Sequence, residues 1–167
     1  MGGRNVVSPH KKTIMADKAE RTVVLIKPDA LQRNLMGEII QRFERKGIKI
    51  VGCKMIRLDD ALLDEHYSHH KDKPFFDDLK NFMKSAPVLA MILEAPEVIK
   101  AVRIIIGPTK ASEADAGSIR GDLSISSASA NLVHASDSNE SAEQEIKRFF
   151  KPEEIFNYEK IDESFSG

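Results

Sequence analysis

Asn131-Leu132-Val133-His134-Ala135-Ser136-Asp137-Ser138 sets one histidine between a short apolar run and a cluster of small polar residues. Leu132 and Val133 suit a strand anchored in a core, while Ala135 and Ser136 leave space beside the imidazole. Ser136, Asp137 and Ser138 can hydrogen-bond near the ring or cap a following helix. A neutral imidazole is a good nucleophile, and its ordinary pKa of about 6.5 leaves it largely unprotonated at neutral pH. A histidine at a strand end is more often structural than catalytic, so the surrounding sequence has to decide its role.

Working outward, Thr22 to Ile26 is a β-branched and apolar run broken by Lys27-Pro28, which predicts a buried strand delivering a lysine at its end. Leu35, Met36, Ile39, Ile40 and Phe43 recur at helical spacing, with Glu38, Arg42, Glu44 and Lys46 on the wet face and Gly47 as the stop. Ile48 to Leu58 reads as a long strand, and Asp59 or Asp60 as the cap of a short helix running through His66. Phe75 to Met83 predicts a further helix and Val88 to Leu93 a strand; Pro96 opens a helix carrying Val98, Ile99, Val102 and Ile105. Ala142, Ile146, Phe149 and Phe150 mark the last helix, with Glu140 and Glu143 in its first turn and Lys147, Arg148 and Lys151 near its end, as the helix dipole favours. Strands interleaved with helices, without a uniform βαβ repeat, favour an α+β sandwich over a doubly wound sheet.

At 167 residues the chain is long enough for one real core and short for two. Residues 1–18 offer little to bury and read as a disordered arm, or residues added for expression, leaving 19–167 as a single domain. That segment lacks the apolar centre of a secretory signal and the Arg- and Ser-rich pattern of a transit peptide. Lys plus Arg number 25 against 26 Asp plus Glu, so no bulk field draws the chain to nucleic acid or an anionic membrane, and a polyphosphate must be held by a local basic cluster. The lone Cys53 cannot form an internal disulfide, and no apolar run approaches the ~20 residues that span a bilayer; a soluble, cytoplasmic protein is expected. Neither a Gly-x-x-x-x-Gly-Lys-[Ser/Thr] loop nor Gly-x-Gly-x-x-Gly occurs, so phosphate chemistry here has to work without a glycine cradle.

The stretch from Asn131 to Ser138 resembles, residue for residue, the Asn-x-x-His-[Gly or Ala]-Ser-Asp-Ser signature of nucleoside diphosphate kinases. Arg21-Thr22-Val23-Val24-Leu25-Ile26-Lys27-Pro28-Asp29-Ala30 is similar to that family's opening strand and lysine turn, and Gly37 to Glu44 to its first long helix. Glu65-His66-Tyr67, Lys73-Pro74-Phe75-Phe76, Gly107-Pro108-Thr109 and Ile119-Arg120-Gly121-Asp122 follow in the family's order, so the likeness runs from about Glu20 to Tyr158. It implies a ferredoxin-like core, a four-stranded antiparallel sheet with helices on one face.

Without the resemblance, Lys27, Arg103 and Arg120 could each be solvated cations. Lys27 is set apart by closing a buried strand, and Arg120 by Gly121, which allows a tight backbone turn, whereas Arg103 in an apolar stripe could simply snorkel. The family likeness implies that Lys27, Tyr67, Arg103, Thr109 and Arg120 contact phosphates or sit beside the nucleophile, and that Lys27 and Asn131 reach the sugar hydroxyls. It implies Phe75 as the face on which a base stacks, with Leu79 in the same slot, Glu145 as the carboxylate orienting His134, and Ser136 and Asp137 in support. The implied reaction is double displacement. His134 takes the γ-phosphate of a nucleoside triphosphate and passes it to a nucleoside diphosphate, ribo or deoxy, with Mg²⁺ held mainly by the phosphates. His66, His69 and His70 lack an evident fourth ligand and read as surface residues, so no protein metal site is expected.

The chain departs from the family pattern in three places, while the catalytic set is intact. Ala111 and Ala116 stand where prolines are usual, Ser129-Ala130 replaces a Gly-Arg pair, and the Arg120-to-His134 segment is one residue longer. Family members are generally hexamers or tetramers built from a dimer through the sheet edge and first helix, and a hexamer is the expectation here. A catalytically silent nucleotide-binding or scaffolding member is the rival reading, opposed by the intact set Lys27, Tyr67, Arg103, Arg120, Asn131, His134 and Glu145.

Overall fold

The computed structural model describes residues 19–125 and 129–161. The expected N-terminal arm at residues 1–18, the polar tail from Asp162 and part of the lengthened segment before His134 lie outside the described residues. The elements run β1 (Glu20–Ile26), α1 (Pro28–Gln32), α2 (Met36–Arg45), β2 (Lys49–Ile56), α3 (Asp60–His66), α4 (Phe76–Lys84), β3 (Val88–Ala95), α5 (Val98–Ile106), α6 (Ile119–Leu123), β4 (Val133–Ala135) and α7 (Asn139–Phe149). Four strands form one antiparallel sheet in the order β2-β3-β1-β4, the ferredoxin-like α+β arrangement.

β1 is the keystone. Val23 and Leu25 point to one face and Val24 and Ile26 to the other, as the two-residue strand period requires, and all four are fully buried. Ile39 and Phe43 of α2, Val98, Val102 and Ile106 of α5 and Ile119 of α6 cover one face. Leu63 of α3, Leu79 and Met83 of α4 and Phe149 of α7 cover the other. The expectation of helices on one face is therefore corrected: they lie on both. The physical reason was in the strands. The stretches Val23 to Ile26 of β1 and Val88 to Leu93 of β3 are unbroken apolar runs rather than alternating ones, and a strand wetted on one face would alternate.

Local chemistry sets the ends. Gly47, at φ 86°, takes the left-handed conformation that terminates α2. Asp59 caps α3 by accepting from the Leu62 N–H at 2.8 Å, and Ser138 caps α7 by accepting from the Ser141 N–H at 3.1 Å. Gly121 does not make the turn expected of it. It lies inside α6, where a Cβ would collide with the Asp115 carbonyl oxygen, so glycine lets the 107–118 loop press against the helix.

Candidate active site

β4 is only three residues long, and its pairing with β1 sets Leu25 opposite His134. The His134 ring thus lies on the face covered by α3, α4 and α7. Its Nε2 is 3.0 Å from both carboxylate oxygens of Glu145, a buried residue of α7. Ser136 donates its hydroxyl to Glu145 Oε2 at 2.8 Å and accepts from the Val23 N–H at 3.1 Å, which ties the carboxylate to β1. A carboxylate can only accept, so the proton of a neutral His134 sits on Nε2 and the lone pair on Nδ1. Asp137 accepts from the Ser141 hydroxyl at 2.7 Å, and that bond holds its carboxyl below the usual range.

The backbone entering β4 is held under tension. Leu132 sits at φ 73°, an uncommon region for a branched side chain that costs of order 1–3 kcal/mol. Its N–H donates to Asp29 Oδ2 at 3.1 Å, and its carbonyl accepts from the Lys27 N–H at 2.9 Å. The turn after β1 therefore clamps the segment that presents His134.

Lys27 is buried and donates its ammonium to Asn131 Oδ1 at 2.8 Å and to the Ser129 carbonyl at 3.1 Å. Burial, then the Arg120 charge, lower its pKa to about 8 against the opposing pull of Asp29. Arg120 is buried too and acts as a strut. It donates to the carbonyls of Asn131 (3.1 Å), Gly107 (2.9 Å) and Val133 (2.6 Å), which occupies three of the five donors of its fork. Burial and nearby Arg103 lower its pKa to about 10. Asn131 also donates to the Thr109 carbonyl at 3.0 Å, so Lys27, Thr109, Arg120 and Asn131 belong to one hydrogen-bonded cluster, fastened at Val133 to the strand that carries His134.

Arg103 is exposed on α5 and faces a cleft of about 860 Å³ that Asp137 also lines, beside the histidine rather than on it. Tyr67 is buried, its hydroxyl pushed up by burial and by Glu145. Phe75 stands 46% exposed at the start of α4 with its ring 5.4 Å from His70, while Leu79, one turn on, is turned into the core. The structure thus gathers Lys27, Tyr67, Arg120, Asn131, His134, Ser136 and Glu145 into the sheet end. Arg103, Thr109, Phe75 and Asp137 sit around its rim.

Reading the histidines as surface residues holds for His69 but not for His66, which is buried with its ring 4.7 Å from that of His134. A signal existed: Leu63 and His66 are three apart on a capped helix and so share its inner face. Donor atoms of His66, His134 and Glu145 come within 4.8 Å of one another, yet Arg148 Nη1 lies 3.3 Å from His66 Nδ1. A metal ion there would face a guanidinium and displace the His134–Glu145 contact, so the trio does not fit one. Asp29 and Arg148 are the other contributors that the sequence did not single out. Asp29 is an ordinary first-turn acid by sequence, and the contacts of Arg148 are long-range.

A family model for nucleoside diphosphate kinases matches residues 20–155. The nucleoside diphosphate kinase of Staphylococcus haemolyticus is 54% identical over 140 residues, 84% of this chain and 93% of that protein. The fold is similar to a halophilic nucleoside diphosphate kinase from Halobacterium salinarum in complex with CDP, with a TM-score of 0.84, 42% identity and coverage of 87% of this chain and 97% of the other. It is also similar to a Borrelia burgdorferi nucleoside-diphosphate kinase with bound vanadate and ADP, a transition-state mimic, with a TM-score of 0.82, 34% identity and coverage of 88% and 96%.

Proposed function

The chain belongs to the nucleoside diphosphate kinase family, and from that membership we propose how its residues divide the transfer of a γ-phosphate from a nucleoside triphosphate to a nucleoside diphosphate. The observation that carries the reading is the His134–Glu145 contact, which holds the proton on Nε2 and leaves Nδ1 free to attack. Nδ1 forms a bond to the γ-phosphorus as the bond to the β,γ-bridging oxygen breaks, and the electron pair leaves on the nucleoside diphosphate. The Nε2 proton stays in place, and Glu145 offsets the positive charge gained by the phosphorylated ring. A terminal oxygen of the second nucleoside diphosphate then attacks phosphorus and returns the electron pair to Nδ1. One site serves donor and acceptor in turn, so ping-pong kinetics follow.

Lys27, Arg103 and Arg120 neutralise the phosphates, with Tyr67 and Thr109 beside the transferring group. Asn131 and Lys27 address the sugar, Phe75 offers its exposed face to the base, Leu79 backs that slot, and Ser136 and Asp137 support the nucleophile. Stacking tolerates any base, so base discrimination is weak. The substrate is the Mg²⁺–nucleotide complex. Glu145 is committed to His134, and Lys27 and Arg120 set two cations at the site, so the phosphates rather than the protein carry the ion. Among the described residues no helix is long and apolar enough to cross a membrane, and we place the enzyme in the cytoplasm as a homo-oligomer acting on free nucleotides.

Initial rates with ATP and a second nucleoside diphosphate test this reading. Parallel double-reciprocal lines are expected, and a silent nucleotide-binding member would give no transfer at all.

A further inference from the structure

Where α3 meets α7, a charged group lies against His66, the ring neighbour of His134, and takes no part in the scheme above. Arg148 donates Nε–H to Glu65 at 2.9 Å and directs Nη1 at His66 Nδ1, 3.3 Å away. The His66 side chain is 2% exposed, and its ring meets the rings of His134 at 4.7 Å, Tyr67 at 4.5 Å and Phe149 at 5.0 Å. A guanidinium cannot accept a hydrogen bond, so Nδ1 of His66 accepts and the ring is neutral with its proton on Nε2. Among the described residues that buried Nε2 has no hydrogen-bond partner.

The geometry sets two imidazoles against one carboxylate. Glu145 Oε1 lies 3.0 Å from His134 Nε2 and 4.0 Å from His66 Nδ1. At 4.0 Å an ion pair forms only if His66 is protonated, and that charge would draw Glu145 away from the nucleophile. The groups facing His66 are Glu145 and Arg148 from α7, His134 from β4, Lys27 after β1, and His69 and Tyr67 after α3. Burial first, then His134 and Arg148, lower the His66 pKa far below its ordinary value. Arg148 is the member of this set that touches Nδ1 itself.

We propose that Arg148 is a positioning residue for phosphoryl transfer: by donating to Nδ1 of His66 it keeps a proton off that nitrogen and reserves Glu145 for His134. This rests on the reading of His134 as nucleophile and Glu145 as its orienting partner. Arg148 touches no substrate and acts through His66.

Arg148→Met keeps the stem and removes the donor, so His66 gains a proton in acid and competes for Glu145. In that variant kcat relative to the native enzyme falls roughly threefold between pH 8 and pH 5.5 and further below, with KM for the nucleotide little changed: burial still opposes a proton on His66, but without the guanidinium the ring takes one up at a higher pH than in the native enzyme. Arg148→Lys retains a donor and keeps the native profile. His66→Phe in the Arg148→Met background removes the competing imidazole and erases the acidic loss, and Glu65→Gln, which breaks only the surface pair, adds no pH dependence. A loss equal at every pH, and not relieved by His66→Phe, would overturn the proposal and leave Arg148 as a tether between helices. Imidazole NMR of the native enzyme adds a measurement independent of how the variants fold. His66 should remain the neutral Nε2–H tautomer down to pH 5.5, and a His66 that titrates between pH 5.5 and 7.5 would also overturn it. Absence of a phosphohistidine in the native enzyme would instead sink the functional reading, which the NMR result does not depend on.

Discussion

The Lys27 ammonium donates to the Asn131 side-chain oxygen at 2.8 Å, joining the end of β1 to the segment just ahead of β4 across 104 positions of sequence. The bond holds a buried cation against the loop that presents His134. Buried beside Arg120, this amine loses its proton at about pH 8 rather than at the ordinary value of 10.5.

A loss of activity in mild base follows. With the Lys27 charge gone, kcat/KM for nucleoside triphosphate falls above pH 8, tending toward about tenfold per pH unit, because in a ping-pong scheme this ratio reports groups of the free, unphosphorylated enzyme. Lys27→Met abolishes most of the activity and removes the inflection. A native profile flat to pH 9.5 would contradict the assignment.

Ser136→Ala tests the shell behind the nucleophile. The substitution deletes a hydrogen bond to Glu145 Oε2 and leaves the buried Val23 N–H without its side-chain acceptor. Stability should drop by about 1–3 kcal/mol. One lost bond to a charged group, about 1.5 kcal/mol, corresponds to a roughly tenfold fall in kcat if it is felt fully in the transition state. Urea unfolding and steady-state rates measure the two separately, and an unchanged kcat would show that Glu145 needs no such support.

His66 makes stability sensitive to acid. Its folded pKa is pushed down to about 2 from the ordinary 6.5, so between these values the unfolded chain binds a proton that the folded chain refuses. The contribution is fully present above pH 6.5 and is lost as pH falls, with a slope of up to about 1.4 kcal/mol per pH unit. Unfolding free energies from urea melts at pH 7, 6 and 5 should therefore decline, and more steeply in the native protein than in His66→Phe. Equal slopes would show that other groups govern the acid response.

Much of this was legible in the sequence, and the exceptions have physical causes. The apolar run from Thr22 to Ile26 and the spacing of Ile39 and Phe43 marked the central strand and its covering helix, because period and burial are local properties. Their unbroken character also marked a sheet covered on both faces, which the family likeness had reduced to one. α6, at five residues, is too short to show a period. The active cluster was legible through the family signature alone, since Lys27 and Asn131, or Arg148 and His66, are neighbours only after folding. His66 was misplaced because three histidines in five positions look like a wet surface, although Leu63 already fixed the inner face of that helix.

Assembly offers another test. The family likeness implies that the loop from Thr109 to Arg120 packs at a threefold contact of the hexamer; Ala111 and Ala116 there replace prolines usual to the family, and losing proline at a compatible site costs ~0.4–1 kcal/mol per copy. Within the chain the loop is fastened by Ser118 donating to the Asp115 carbonyl at 2.7 Å and by the Gly117 N–H donating to Asp122 at 2.8 Å. Light scattering across a urea series should show a hexamer separating into dimers before the subunits unfold. A monomer at micromolar concentration, or a tetramer throughout, would contradict this.

The most direct measurement is to incubate the native enzyme with ATP and Mg²⁺, determine its intact mass and map the labelled peptide. One acid-labile phosphoryl group per chain is expected, bonded to Nδ1 of His134, discharged by any nucleoside diphosphate and absent from His134→Ala. Label on a peptide carrying His66, His69 or His70, or substantial turnover by His134→Ala, would contradict it.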